Sequence, residues 1–181
     1  MPATTLSQLM MAAVVTASLP LAACSIDVSE DDTPGRKDVD IRTPVGAMSV
    51  QTGVDVETGL RVFPGAEPLH ERDAPECANV NIGTSLFGVK VAAAKFESDA
   101  DPSTILAFYR SEMKTYGDVT ECRGDVDFRG PSRDRRPVCR EDRREDEIQL
   151  VVGTEGRHRL VSVKPRGDGT EFAVVYIQTR G

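Results

Sequence analysis

Histidine, cysteine and clustered acids are the residues here whose types can do chemistry, and their spacing limits what that chemistry is. His70, Glu71, Asp73, Glu76 and Cys77 place five metal-capable side chains within eight positions. No two stand at the intervals of a known site and Pro75 interrupts them, so a solvated loop is expected and no metal site is assigned. His158, between Arg157 and Arg159, is expected to be an exposed sheet residue and not a base. The run Gly83-Thr84-Ser85-Leu86-Phe87-Gly88 has the wrong spacing for a GxSxG nucleophile elbow, and no glycine-rich loop ends in Lys-Ser/Thr. Arg-Gly-Asp occurs at 123–125 and 166–168. Turns require Gly and Asp, and turn chemistry explains both copies. No catalytic residue and no cofactor is assigned.

Four cysteines are present: Cys24, Cys77, Cys122 and Cys139. None forms a CxxC pair, which removes zinc ribbons and thiol redox motifs from consideration. The last three allow three pairings, of which Cys122–Cys139 is preferred. It would close a loop of about 17 residues and pin a segment that cannot hold itself.

Cys24 ends an uncharged stretch, Leu9–Ala23, that is too short to span a bilayer comfortably. The n-region before it, MPATTLSQ, contains no Lys or Arg. Leu21-Ala22-Ala23-Cys24 resembles the lipobox of bacterial lipoproteins. The resemblance implies a diacylglyceryl group on the Cys24 sulfur and cleavage between Ala23 and Cys24. Membrane lipid is then a partner through acylated Cys24, and the chain resides in the bacterial cell envelope. Ser25 stands where some bacteria place a retention Asp, which favours the periplasmic face of the outer membrane. Each buried acyl methylene contributes about 0.8 kcal/mol, so two or three chains hold a protein at the membrane.

The elements that would position these residues follow from charge and periodicity. The chain of 181 residues carries a net charge of −7. Residues 1–23, the leader, contain no charged side chain, and 24–60 hold eight acids against three bases, or −5, leaving −2 for the rest. Residues 24–38 read as a disordered acidic tether, repelled by anionic head groups and standing off the membrane. Nucleic acid is not an expected partner. Residues 39–60 read as a hairpin around Pro44-Val45-Gly46.

The compact domain is expected over 61–181. Residues 79–97 read as one long strand with a bulge or bend at Gly83 and Gly88. Asp101 as cap, Pro102 in the first turn and Gly117 as stop bound a helix over 102–116. Its apolar stripe is Ile105, Leu106, Tyr109, Met113 and Tyr116. A charge-dense insert, 123–147, has eight Arg among eight acids in positions 123–147 and is expected to be an exposed loop. Alternation predicts strands near Ile148–Val152 and Leu160–Val163, and Phe172–Ile177 reads as a central strand. The class is α+β: one main helix on a mainly antiparallel sheet, in a single domain.

Val62-Phe63-Pro64-Gly65-Ala66, Phe108-Tyr109-Arg110 before Tyr116-Gly117, and Leu150-Val151-Val152-Gly153-Thr154 are similar to a group of uncharacterised bacterial envelope lipoproteins. The resemblance covers residues 39–181 and brings no established activity. The function expected is that of a non-catalytic envelope lipoprotein binding an envelope protein or polymer. The alternatives are an exported hydrolase-type enzyme and an assembly factor using an exposed sheet edge.

Overall fold

A single helix lies across one half of a broad antiparallel sheet, and strand periodicity decides what it covers. The computed structural model describes residues 25–30, 37–52, 57–69, 77–84, 86–131, 134–140 and 146–181. The first strands are β1 (Ser25–Glu30), β2 (Lys37–Thr43), β3 (Gly46–Thr52), β4 (Glu67–Pro68), β5 (Cys77–Thr84) and β6 (Gly88–Ser98). Helix α1 (Pro102–Met113) follows, extended by a 3₁₀ turn, Lys114–Tyr116. The remaining strands are β7 (Thr120–Arg123), β8 (Val126–Arg129), β9 (Arg136–Cys139), β10 (Ile148–Thr154), β11 (Arg157–Arg166) and β12 (Gly169–Arg180). The main sheet runs β1-β2-β3-β5-β6-β12-β11-β10-β7, with β4 alongside β6, and β8 with β9 forms a separate ribbon. Every pairing is antiparallel. Helix on antiparallel sheet is the class expected, with the balance tilted further toward β.

Helix α1 starts and stops where its sequence dictates. The Asp101 carboxylate accepts from the Ser103 N–H at 2.8 Å, and Pro102 needs no donor in the first turn. Gly117, at φ 132°, turns the chain out. Ile105, Leu106, Tyr109 and Met113 are buried against the inner face of β6, β12, β11 and β10. Phe172 stacks on Phe96 at 5.4 Å between ring centroids and meets Tyr109 at 5.7 Å. Burying each such side chain contributes up to about 1.5–3 kcal/mol. Strand β12 lies at the centre of this packed half, between β6 and β11.

Three stretches depart from the sequence expectation. Residues 24–38 were expected as a disordered tether, but 25–30 form β1 and β2 begins at Lys37, with Ser25 opposite Arg42 and Glu30 opposite Lys37. Ladder pairing satisfies backbone donors and acceptors whatever the side-chain charge, which a compositional reading does not register. The sheet therefore begins well before residue 61. Residues 79–97 are not one bent strand but β5 and β6 joined by a turn, closed by Thr84 N–H donating to Phe87 O at 2.7 Å. The charged insert 123–147 is not simply a loop, since it contains β8 and β9. Val126 and Phe128 alternate with Asp127 and Arg129, giving the ribbon an apolar side. The β11–β12 connection is a two-residue turn, with Gly167 and Asp168 alone between paired Arg166 and Gly169 and Gly167 at φ 59°.

Candidate functional site

The helix covers only part of its side of the sheet, and the uncovered part is polar. Side chains alternate along each strand, so directly paired residues share a face. Following the register across strands gives one continuous row: Asp40 opposite Ser49, Ser49 opposite Asn81, Asn81 opposite Lys90, Lys90 opposite Gln178, and Gln178 opposite Arg157. At about 4.8 Å between strands, the six side chains span about 24 Å. Ser49, Asn81, Lys90, Gln178 and Arg180 line an open cavity of about 390 Å³.

One end of this row is held by aromatic and hydrogen-bonding partners. The Arg159 guanidinium lies 3.6 Å from the Tyr116 ring centroid and 4.7 Å from that of Tyr176. Its Nε donates to the Thr58 carbonyl at 2.9 Å, and the Tyr116 hydroxyl donates to the Gly59 carbonyl. Arg157 Nε donates to the Tyr176 hydroxyl at 3.2 Å, which in turn donates to Gln178 Oε1 at 2.9 Å. The Gln178 amide is thereby oriented, leaving its NH₂ as the donor end. Lys90 has Glu57 at 3.8 Å, an exposed pair contributing little. Amide, hydroxyl and cationic groups in a row suit a linear polar or anionic ligand lying across the strands.

A second polar cavity, of about 330 Å³, opens at the far end of the sheet among Glu67, Glu97, Asp99, Arg166 and Asp168. Arg166 Nη1 lies 3.3 Å from Glu97 and 3.7 Å from Glu171, and Lys164 lies 2.9 Å from Glu171. Glu97 in the cavity wall and Glu171 beside it are thus engaged with cations of their own chain.

The residues singled out from the sequence are scattered. Cys24 and Ala23 lie outside the described residues, as do His70, Glu71, Asp73 and Glu76. Cys77 is half-buried in β5. Among the described residues no three His, Cys, Asp or Glu side chains form a metal-holding group. Cys122 and Cys139 are joined by a disulfide, with Cα atoms 5.2 Å apart. Both Arg-Gly-Asp copies sit at strand connections, 123–125 between β7 and β8 and 166–168 at the β11–β12 turn.

His158 is not the exposed residue expected. It is 8% exposed, with the Phe128 ring of the β8–β9 ribbon 4.7 Å away. Its Nδ1 lies 3.1 Å from the Thr154 carbonyl and 3.2 Å from that of Glu155. Burial holds its pKa below the ordinary imidazole value, against the opposing pull of those carbonyls. A neutral imidazole donating to backbone is a structural group.

The polar row escaped sequence reasoning because its members come from six strands separated by up to 138 positions (40 to 178). The one local signal was the alternation of Asn79 and Asn81 with Val80 and Ile82, and of Ser49 and Gln51 with Met48 and Val50. No family model, curated protein or solved structure matches the chain.

Proposed function

We propose that the chain is a lipid-anchored protein of the bacterial cell envelope that holds a non-catalytic α+β domain at the membrane and binds a linear polar envelope polymer. The anchor rests on Leu21-Ala22-Ala23-Cys24 at the end of an uncharged leader. The binding half rests on the polar row from Asp40 to Arg157, whose length and donor chemistry fit an extended ligand better than a compact substrate. With the anchor attached directly before β1, the row is carried close to the bilayer.

Two measurements test the two halves. Intact mass of the purified product and membrane fractionation examine the anchor: acylated Cys24 and a membrane-bound wild type are expected, with Cys24→Ala released. A wild type that stays soluble refutes it. For the binding half, photo-cross-linking from Asn81 and Gln178 positions in intact cells is expected to capture saccharide or another polar polymer. Cross-links confined to β1 would instead favour assembly through the sheet edge, a reading supported by the terminal place of β1 in the strand order.

A further inference from the structure

The same register that builds the polar row places a different set of residues one step nearer the end of the sheet. Ser25 is opposite Arg42, Arg42 opposite Ala47, Ala47 opposite Gly83, Gly83 opposite Gly88, and Gly88 opposite Arg180. The row is thus small residues with an arginine toward each end. The Arg180 guanidinium lies across Gly88, 3.6 Å from where a Cβ would stand. Beyond this row come the turns themselves, Pro44-Val45 between β2 and β3 and the turn holding Leu86 and Phe87 between β5 and β6. The two turns are adjacent. Gly46 pairs with Thr84, and a Cβ on Gly46 would stand 2.6 Å from the Gly83 carbonyl oxygen. Val45, Leu86 and Phe87 are 78%, 86% and 47% exposed, and Met48 and Ile82 continue the apolar surface down one side.

Large apolar groups at the tips of neighbouring turns, with arginines set within three residues behind them along the strands, match the layering of a bilayer surface. Acyl chains lie deepest and phosphates above them, where arginine reaches them. The position of the anchor decides the occupant. Cys24 is one peptide unit, about 3.8 Å, from Ser25, and Ser25 begins β1 at this end of the sheet. Charge points the same way. The chain is acidic overall, yet the second paired row from the tips carries Arg42 and Arg180, while Asp40 and Asp38 lie farther up β2. An acidic body with a basic end is oriented by an anionic surface with that end down.

We infer that the β2–β3 and β5–β6 turns are a membrane-docking surface, with Val45, Leu86 and Phe87 entering the acyl boundary of an anionic bilayer and Arg42 and Arg180 at its phosphates. The inference rests on the lipoprotein reading and replaces the stand-off tether with a domain seated directly on the lipid.

The chain contains no tryptophan, so a single introduced one reports its own surroundings. Leu86→Trp and Asp168→Trp, at opposite ends of the sheet, are made in the full chain and reconstituted into vesicles of phosphatidylethanolamine and phosphatidylglycerol with brominated acyl chains. Leu86→Trp is expected to emit at shorter wavelength and be quenched by bromine, and Asp168→Trp to behave as in water. Adding Arg42→Gln and Arg180→Gln is expected to reduce the quenching. Equal, weak quenching at both positions on protein that mass spectrometry shows to be acylated at Cys24 overturns the docking surface and leaves the anchor standing. If Cys24 proves unmodified, the anchor falls, and the unacylated Leu86→Trp chain at saturating lipid decides the surface alone. Quenching there supports it, and absence of quenching overturns it.

Discussion

The β8–β9 ribbon carries four of the described arginines, Arg129, Arg135, Arg136 and Arg140, in and beside its strands, yet it covers a buried patch of sheet, which makes its attachment open to quantitative test. Four paired positions per strand are little to hold it, so the Cys122–Cys139 bridge is expected to dominate. For a closed loop of 17 residues the chain-entropy relation gives about 3 kcal/mol at room temperature. For a domain of this size that corresponds to a fall in melting temperature of about 6–12 °C. The assay is thermal unfolding by circular dichroism, oxidised against reduced, with Cys122→Ala/Cys139→Ser as a second route to the open form. Cys122 is fully buried, so alanine there avoids leaving a hydroxyl without a partner. A fall of less than about 2 °C by both routes would show that packing of Phe128 and Val126, and not the covalent link, holds the ribbon down. Opening also removes the ring 4.7 Å from His158, so the imidazole pKa of the reduced protein should climb back toward its ordinary value.

Two further outcomes follow from individual groups. His158 titrates lower in the folded chain than in the unfolded one, so the unfolded state binds more protons as pH drops below about 6.5; stability should decline through that window, and His158→Gln should flatten the decline measured by denaturant melts at a series of pH values. Asp101→Ala removes the acceptor for the Ser103 N–H and should cost about 1 kcal/mol, a melting-temperature loss of about 2–4 °C, with Asp101→Asn retaining most of it.

Helix α1 was legible because its signals are local and redundant: a capping acid, a proline that loses nothing, a glycine stop and a three–four apolar stripe, all within seventeen residues (101 to 117). Phe172–Ile177 was legible as a central strand because it is apolar on both sides. The strands missed are those whose apolar residues are thinly set among charges. Ile26 and Val28 sit between Ser, Asp and Glu, and Val126 and Phe128 between Asp and Arg, so composition outweighs a two-residue period. His158 was misread because its cover comes from Phe128, thirty residues earlier in the chain (158 − 128), on an element not foreseen. The polar row and the paired turn tips depend on strand order, which no local pattern encodes.

Strand β12 lies in the middle of the sheet. β12 joins the meander β1-β2-β3-β5-β6, built from the first half of the chain, to β11, β10 and β7 from the second, and its pairing with β6 reaches Arg180 opposite Gly88. Neither group of strands can therefore close the sheet before β12 is in place, which makes its pairings long-range in sequence and slow to form. Loss of β12, which also carries Gln178 and Arg180, would leave two half-sheets with raw edges and break the polar row at its seam.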